Sequence, residues 1–138
     1  MTITQARSAR EGFTLMEILI AIAIVAIVTI TVGPALLRQA FRGKRDATKV
    51  RLQGVKSSVQ QYHMDNNSYP EKLRDLVKKP ADAKRWDGPY LEQEPRDAWD
   101  RRFNYKRTPS GKKPYELYSW GENGRGAPKE EWLSVWDS

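Results

Sequence analysis

Gly12-Phe13-Thr14-Leu15-Met16-Glu17 opens an apolar run that continues to Leu37, and the reading of this stretch decides the rest of the chain. Eighteen of the 23 residues from 15 to 37 are apolar; the exceptions are Glu17, Thr29, Thr31, Gly33 and Pro34. As a helix the run reaches about 35 Å at 1.5 Å per residue, enough to cross a hydrocarbon core of about 30 Å. A secretory signal has a shorter apolar core, about 7–15 residues, followed by a small-residue cleavage site. Here the small-residue candidate, Gly12, precedes the run, so cleavage there keeps the hydrophobic helix as the mature N-terminus. The segment reads as a membrane span.

Its apolar density is not shared by the rest of the molecule. The chain has 138 residues and is 39% hydrophobic, but outside the run fewer than a third of the residues are apolar. An ordinary soluble globule spreads its apolar residues periodically, which excludes that class. Nothing after Leu37 approaches a second span, which excludes a polytopic membrane protein. Cysteine is absent, so disulfides, zinc–thiolate sites and a cysteine nucleophile lack their parts, and His63, the single histidine, makes a His-based metal site or a Ser-His-Asp triad hard to build. No phosphate-binding loop, dinucleotide fingerprint or nucleophile elbow occurs. The expectation is a protein that is not an enzyme.

Glu17 is the informative residue of the span. An ionised carboxylate in a bilayer costs a few kcal/mol or more and so has a partner or a function. One reading places Glu17 near the headgroups, to which it snorkels. The other pairs it with a cation, and cleavage between Gly12 and Phe13 would create one: the Phe13 amine, four residues away.

These residues resemble the prepilin signal of type IV pilins and type II secretion pseudopilins, with every specified position filled. The resemblance implies cleavage after Gly12 by a prepilin peptidase and methylation of the new terminal Phe13. It implies that Glu17 neutralises the N-terminal amine of a neighbouring subunit during assembly. It also implies a helix break at Gly33-Pro34, where the physics agrees, since proline removes an amide donor and glycine weakens the ladder. Expected partners are further copies of the chain in a helical filament, minor pseudopilins and an inner-membrane assembly platform. The expected location is the bacterial inner membrane, with the N-terminus cytoplasmic and the C-terminal region periplasmic. Charge alone argues the other way, because six basic residues lie in 38–51 against two before the span. Orientation therefore rests on the resemblance.

Beyond Pro34 the pattern turns amphipathic. Leu37, Phe41, Thr48, Leu52, Val55, Val59 and Tyr62 share a helical face, with Arg42, Lys49 and Lys56 off it. A helix over residues 13–64 would be roughly 78 Å long, far more than a small domain can cover. Asp65-Asn66-Asn67-Ser68 stops it and Tyr69-Pro70 forces extended geometry. Leu73, Leu76 and Val77 predict a short helix, and Gly88-Pro89 a loop over residues 86–91. Residues 103–106 and 115–120 read as strands around a Thr108-Pro109-Ser110-Gly111 turn. Ten of the 14 aromatic residues lie from Trp86 onward and supply a core that the few aliphatics cannot. The organisation expected is a leader over 1–12, a transmembrane and polymerisation helix over 13–37, its amphipathic continuation over 38–64, and a small-sheet region over 65–138. The fold class is α+β: a long N-terminal helix packed on a small antiparallel sheet, type IV pilin-like.

An ordered set of blocks narrows the resemblance. Asp65-Asn66 with Tyr69-Pro70, Gly88-Pro89-Tyr90-Leu91, Pro95-Arg96-Asp97-Ala98-Trp99 and Tyr115-Glu116-Leu117-Tyr118-Ser119-Trp120-Gly121 are similar to those of the major pseudopilins of type II secretion. That family implies a structural subunit of the secretion pseudopilus, and it implies calcium in a C-terminal loop held by Asp side chains and backbone carbonyls. Here Asn123 and the Glu130-Glu131 pair stand where Asp is usual, and Arg125 and Lys129 lower the negative charge. These departures favour a solvated acidic pair on a loop tethered by Trp132 and Trp136 over a calcium site. Residues 38–138 carry 22 basic and 15 acidic residues. That balance is expected to be a mixed charged surface rather than a nucleic-acid interface, with the basic cluster beyond the span facing lipid or a neighbouring subunit. A type IV pilin or competence pseudopilin is the alternative function, and a membrane-anchored nucleic-acid-binding protein the second.

Overall fold

The computed structural model describes residues 12–137; the rest of the expected leader, residues 1–11, lies outside the described residues. The chain divides into two units, Met1–Gln39 and Ala40–Ser138. One α-helix, α1 (Leu15–Asn66), supplies the described regular structure of the first unit and the opening element of the second.

In the first unit the helix buries none of its apolar side chains. Phe13 is 80% exposed, and the residues from Leu15 to Leu37 are likewise open. Thr29 and Thr31 turn their hydroxyls back onto the helix, donating to Val25 O at 2.8 Å and Ile27 O at 3.0 Å. The surface presented by this segment is therefore apolar even where its sequence is not. The expected helix break at Gly33-Pro34 is corrected: α1 runs through both residues, with Pro34 inside the helix. Proline removes one amide donor, and the hydrogen-bonded turns on either side carry the helix across that gap.

The second unit has a core built on one face of α1. Thr48, Leu52, Val55, Val59 and Tyr62 are buried, at alternating spacings of four and three that keep them on one stripe. Leu37 and Phe41, expected on the same face, stay 59% and 39% exposed, so the covered part of the helix begins near Thr48. Asn67, with φ +54°, ends the helix, and its N–H donates to His63 O at 2.8 Å. Asparagine tolerates that left-handed conformation better than most residues. His63 stacks on Tyr69, ring centroids 4.1 Å apart, as the hinge from helix to loop.

After a 3-10 helix (Leu73–Leu76), the chain reaches an antiparallel sheet of β1 (Asn104–Arg107), β2 (Tyr115–Ser119) and β3 (Leu133–Ser134), in the order β1-β2-β3. Both expected strands are present, each one residue shorter at one end or shifted by one. Strand β3 has only two residues, too few to show alternation, and was not expected. Along β2, Tyr115, Leu117 and Ser119 point into the core while Glu116 faces out. Leu76, Ala83, Phe103, Leu133 and Val135 complete the core, and Tyr69, Trp86, Tyr90, Trp99 and Trp136 pack around it. The buried core is thus mainly aliphatic, with Tyr62, Phe103 and Tyr115 inside it, and most of the expected aromatic residues form the partly buried layer around it.

Candidate functional site

At the start of the described chain, Gly12, Phe13 and Thr14 precede the helix as irregular backbone. Thr14 caps α1: its Oγ1 accepts the Glu17 N–H at 3.1 Å and its carbonyl accepts the Ile18 N–H at 3.2 Å. Thr14-x-x-Glu17 is the spacing of a helix-capping box, a signal the sequence carries but the motif reading passed over. The cap fixes where the helix starts, and with it the offset between Phe13 and Glu17. Glu17 is exposed in the first turn, where the positive end of the helix dipole favours a carboxylate. It is also the one charged residue between Phe13 and Leu37. The structure thus places Gly12 and Phe13 on the irregular backbone just before the helix and Glu17 in its first turn. Gly33 and Pro34 lie four to five turns further along the same helix.

The blocks scattered over the second unit converge in pairs. Tyr90 donates its hydroxyl to Asp65 Oδ2 at 2.7 Å, and the Tyr90 and Leu91 amides donate to Leu76 O at 2.8 and 3.2 Å. This joins the end of α1 to the Gly88-Pro89-Tyr90-Leu91 loop. Burial raises the Tyr90 pKa above its ordinary value, and the same cause raises that of Tyr62. Asp97 is buried and fully engaged: Oδ1 accepts the Trp99 and Arg101 amides at 3.0 and 2.9 Å, and Oδ2 accepts the Ser119 hydroxyl at 2.7 Å. From α1, Thr48 Oγ1 accepts the Ala98 N–H at 3.0 Å and Arg51 donates to Asp97 O at 2.8 Å. Asp97 is the knot that ties helix, loop and β2 together.

The C-terminal loop is the expected calcium candidate. Asn123 donates its amide to Glu131 Oε2 at 2.6 Å, so the structure brings these two together; Glu130 stays exposed on a 3-10 turn (Lys129–Glu131). The loop carbonyls Gly121 O and Glu122 O accept from Arg101 Nη1 and Nη2 at 2.6 and 2.9 Å, and Glu131 O accepts from Arg45 at 3.5 Å. A divalent ion needs six to eight oxygens free to converge. Here the carbonyls of Gly121 and Glu122 point at a guanidinium and the Asn123 and Glu131 side chains are turned to each other, so this arrangement does not fit calcium. Among the described residues, no group of three or more His, Cys, Asp or Glu side chains is placed to hold a metal ion. Arg101 was missed from sequence because its partners lie 20 and 21 residues away, with no local spacing to announce them.

Comparison with known proteins agrees with this geometry. Residues 35–135 match the family described as type II secretion system (T2SS), protein G, and residues 7–33 match the prokaryotic N-terminal methylation motif. The type II secretion system core protein G of Xanthomonas campestris pv. campestris is 32% identical over 126 residues, 91% of this chain and 87% of that one. The protein of the same description from Pseudomonas aeruginosa is 32% identical over 142 residues, covering 96% and 99%. The crystal structure of the major pseudopilin from the type 2 secretion system of enterohaemorrhagic Escherichia coli superposes with a TM-score of 0.62 at 25% identity. That match covers 73% of this chain and 93% of the other.

Proposed function

The chain belongs to the type II secretion system protein G family and is a structural subunit of the type II secretion pseudopilus; we propose that it matures and assembles through Gly12, Phe13 and Glu17. The family is structural rather than catalytic, and the apolar N-terminal helix is the chain's membrane anchor. In this reading a prepilin peptidase cuts after Gly12, and the exposed Phe13 becomes the methylated N-terminus. The chain stays in the inner membrane with its N-terminus cytoplasmic and its second unit periplasmic until a platform and minor pseudopilins recruit it. Residues 13–37 then exchange lipid for identical helices. Calcium is not part of the proposal.

One observation carries it: the sole charge of an uncovered apolar surface lies one turn from the bond that would release an amine. Within a filament that surface is out of water, and a carboxylate left unpaired there is strongly disfavoured. Pairing Glu17 with the Phe13 amine of the adjacent subunit satisfies both charges and rejects registers that misalign them. The same pairing gives the helix a fixed stagger, which an apolar surface alone cannot specify.

Glu17→Ala is therefore expected to insert and to be processed normally, with N-methyl-Phe found at the mature terminus by mass spectrometry. Sheared filaments should fall by about a hundredfold or more, since removing one partner of a buried pair costs on the order of 3–5 kcal/mol. Normal filament yield from Glu17→Ala would overturn the pairing. Gly12→Val separately tests maturation: it should accumulate as unprocessed, unassembled chain, and filaments built from uncut protein would remove the cleavage step.

A further inference from the structure

The turn over residues 121–124 closes around a cation that belongs to the chain itself. Arg101 reaches it as a fork, Nη1 to Gly121 O at 2.6 Å and Nη2 to Glu122 O at 2.9 Å. Charge-assisted bonds of this kind are about twice as strong as neutral ones, and a planar guanidinium loses little freedom in making two at once. The arginine is itself held in place. Its N–H donates to Asp97 Oδ1 at 2.9 Å, and its carbonyl accepts the Asp97 N–H at 2.8 Å. Asp97 Oδ2 takes the Ser119 hydroxyl, and Ser119 Oγ accepts the Gly121 N–H at 3.1 Å, which returns to the turn. Residues 97, 101, 119 and 121 thus form a closed ring of hydrogen bonds that runs through the guanidinium.

Two glycines leave room for this ring. Gly124, at φ +71°, has no space for a side chain because a Cβ would lie 2.9 Å from Arg101 Nη1. Gly121, at φ +76°, lies so close to Glu131 O that a Cβ would meet it at 2.7 Å. Both conformations are ones that L side chains rarely adopt. The far side of the loop is closed without a metal as well. Asn123 donates to Glu131, Trp132 Nε1 donates to Ala127 O at 2.9 Å, and Tyr118 stacks on Trp132 at 4.6 Å. Arg125 over Trp120 and Lys129 over Trp132 add positive charge, and Arg45 adds more at Glu131 O. Arg45, Arg101, Arg125 and Lys129 offset the four carboxylates around the loop, Asp97, Glu122, Glu130 and Glu131, so no excess negative charge is left to draw a divalent cation.

We propose that the Arg101 guanidinium is the built-in cation of the C-terminal loop, ordering residues 121–131 without any divalent ion. The guanidinium takes up the Gly121 and Glu122 carbonyls, and it cannot be stripped by a chelator or by a change in calcium concentration. The loop of this pseudopilin is therefore set when the chain folds, not when an ion arrives.

Hydrogen–deuterium exchange on the full chain in detergent micelles tests this, read by mass spectrometry over peptides from residues 120–132 and from the buried helix at residues 48–62. The wild-type loop should exchange at the same rate in millimolar calcium chloride and in EGTA. Arg101→Gln should exchange about tenfold faster in the loop under both conditions, as expected from losing charge-assisted bonds that hold a local structure closed, with the helix peptides unchanged. Arg101→Lys, which keeps the charge but not the fork, should fall between the two and serves if the glutamine variant loosens the helix as well. Calcium slowing exchange in the wild-type loop would overturn the proposal, as would Arg101→Gln exchanging at the wild-type rate. Because the readout uses unassembled chains, it is independent of whether Glu17 pairs with a neighbouring Phe13.

Discussion

Residues 15–37 hold eighteen apolar side chains and bury none, whereas the rest of the chain, less than one-third apolar, closes a core of eleven buried hydrophobic residues among those described. The difference lies in arrangement rather than amount. The first segment is apolar all round, so no rotation of the helix can hide it against a single partner surface. The second places Leu52, Val55, Val59 and Tyr62 on one stripe, and β2 alternates inward and outward, so each element has one face to cover and one to leave in water. An uncovered helix of that kind needs something outside the chain to replace water, which the proposed function supplies first as lipid and then as identical helices. Folding and assembly are thereby divided between two regions that can be perturbed separately.

The largest expected contrast comes from matched truncations, one in each region. Leu117→Ala removes a fully buried side chain from β2 and is expected to lower the stability of the second unit by about 2–5 kcal/mol, the range for cavity-forming changes. Thermal melting of the full chain in micelles would show it as a clear fall in midpoint. Ile24→Ala, at a residue 56% exposed, should leave that midpoint unchanged and instead reduce filament yield. A drop in melting from Ile24→Ala would show that the division is wrong. A smaller effect is expected at the boundary of α1. Thr14→Ala deletes the cap, typically worth about 1 kcal/mol, so exchange at the Glu17 and Ile18 amides should quicken about fivefold while the melting of the second unit stays put.

The same contrast governs what could be read from sequence. The helix is legible because its two patterns, uniform then amphipathic, both extend over several turns, and the Asn66-Asn67 stop is written in residues that favour it. The observed helix, Leu15–Asn66, has the 52 residues expected for 13–64, displaced by two at each end. Gly12, Phe13 and Glu17 are legible because they lie within six consecutive positions, so spacing alone brings them together. Arg101, by contrast, acts across 20 residues of chain on backbone carbonyls, which no side-chain pattern encodes. Asp97 was visible as part of a block but its role was not, because Arg51 and Ser119 reach it from other elements. The break expected at Gly33-Pro34 came from a local rule that neighbouring hydrogen-bonded turns override. Strand β3 owes its existence to pairing with Tyr118 and Ser119, not to its own two residues.

The smallest effect sharpens the account of the aromatic core. Tyr115 is 1% exposed, its ring packed against Tyr69, Tyr105 and Trp136, while its hydroxyl finds no hydrogen-bond partner among the described residues. Burial pushes the pKa of that hydroxyl up to about 12 from an ordinary 10.0, and the same cause raises the pKa of Tyr105. Below pH 10 both folded and unfolded chains keep the proton, so stability has no slope from these groups. Between pH 10 and about 12 the unfolded chain releases its proton first, and stability falls as pH rises through that window. Tyr115→Phe keeps the ring contacts and deletes an unpaired buried hydroxyl, so at neutral pH its stability should be equal to that of the wild type or higher by about 1 kcal/mol. Its alkaline decline should be shallower, with the remainder set by Tyr105, Tyr62 and Tyr90. Melting curves of the full chain from pH 8 to 12 would isolate the share due to Tyr115. An unchanged slope in Tyr115→Phe would place the alkaline sensitivity of the second unit elsewhere in its core.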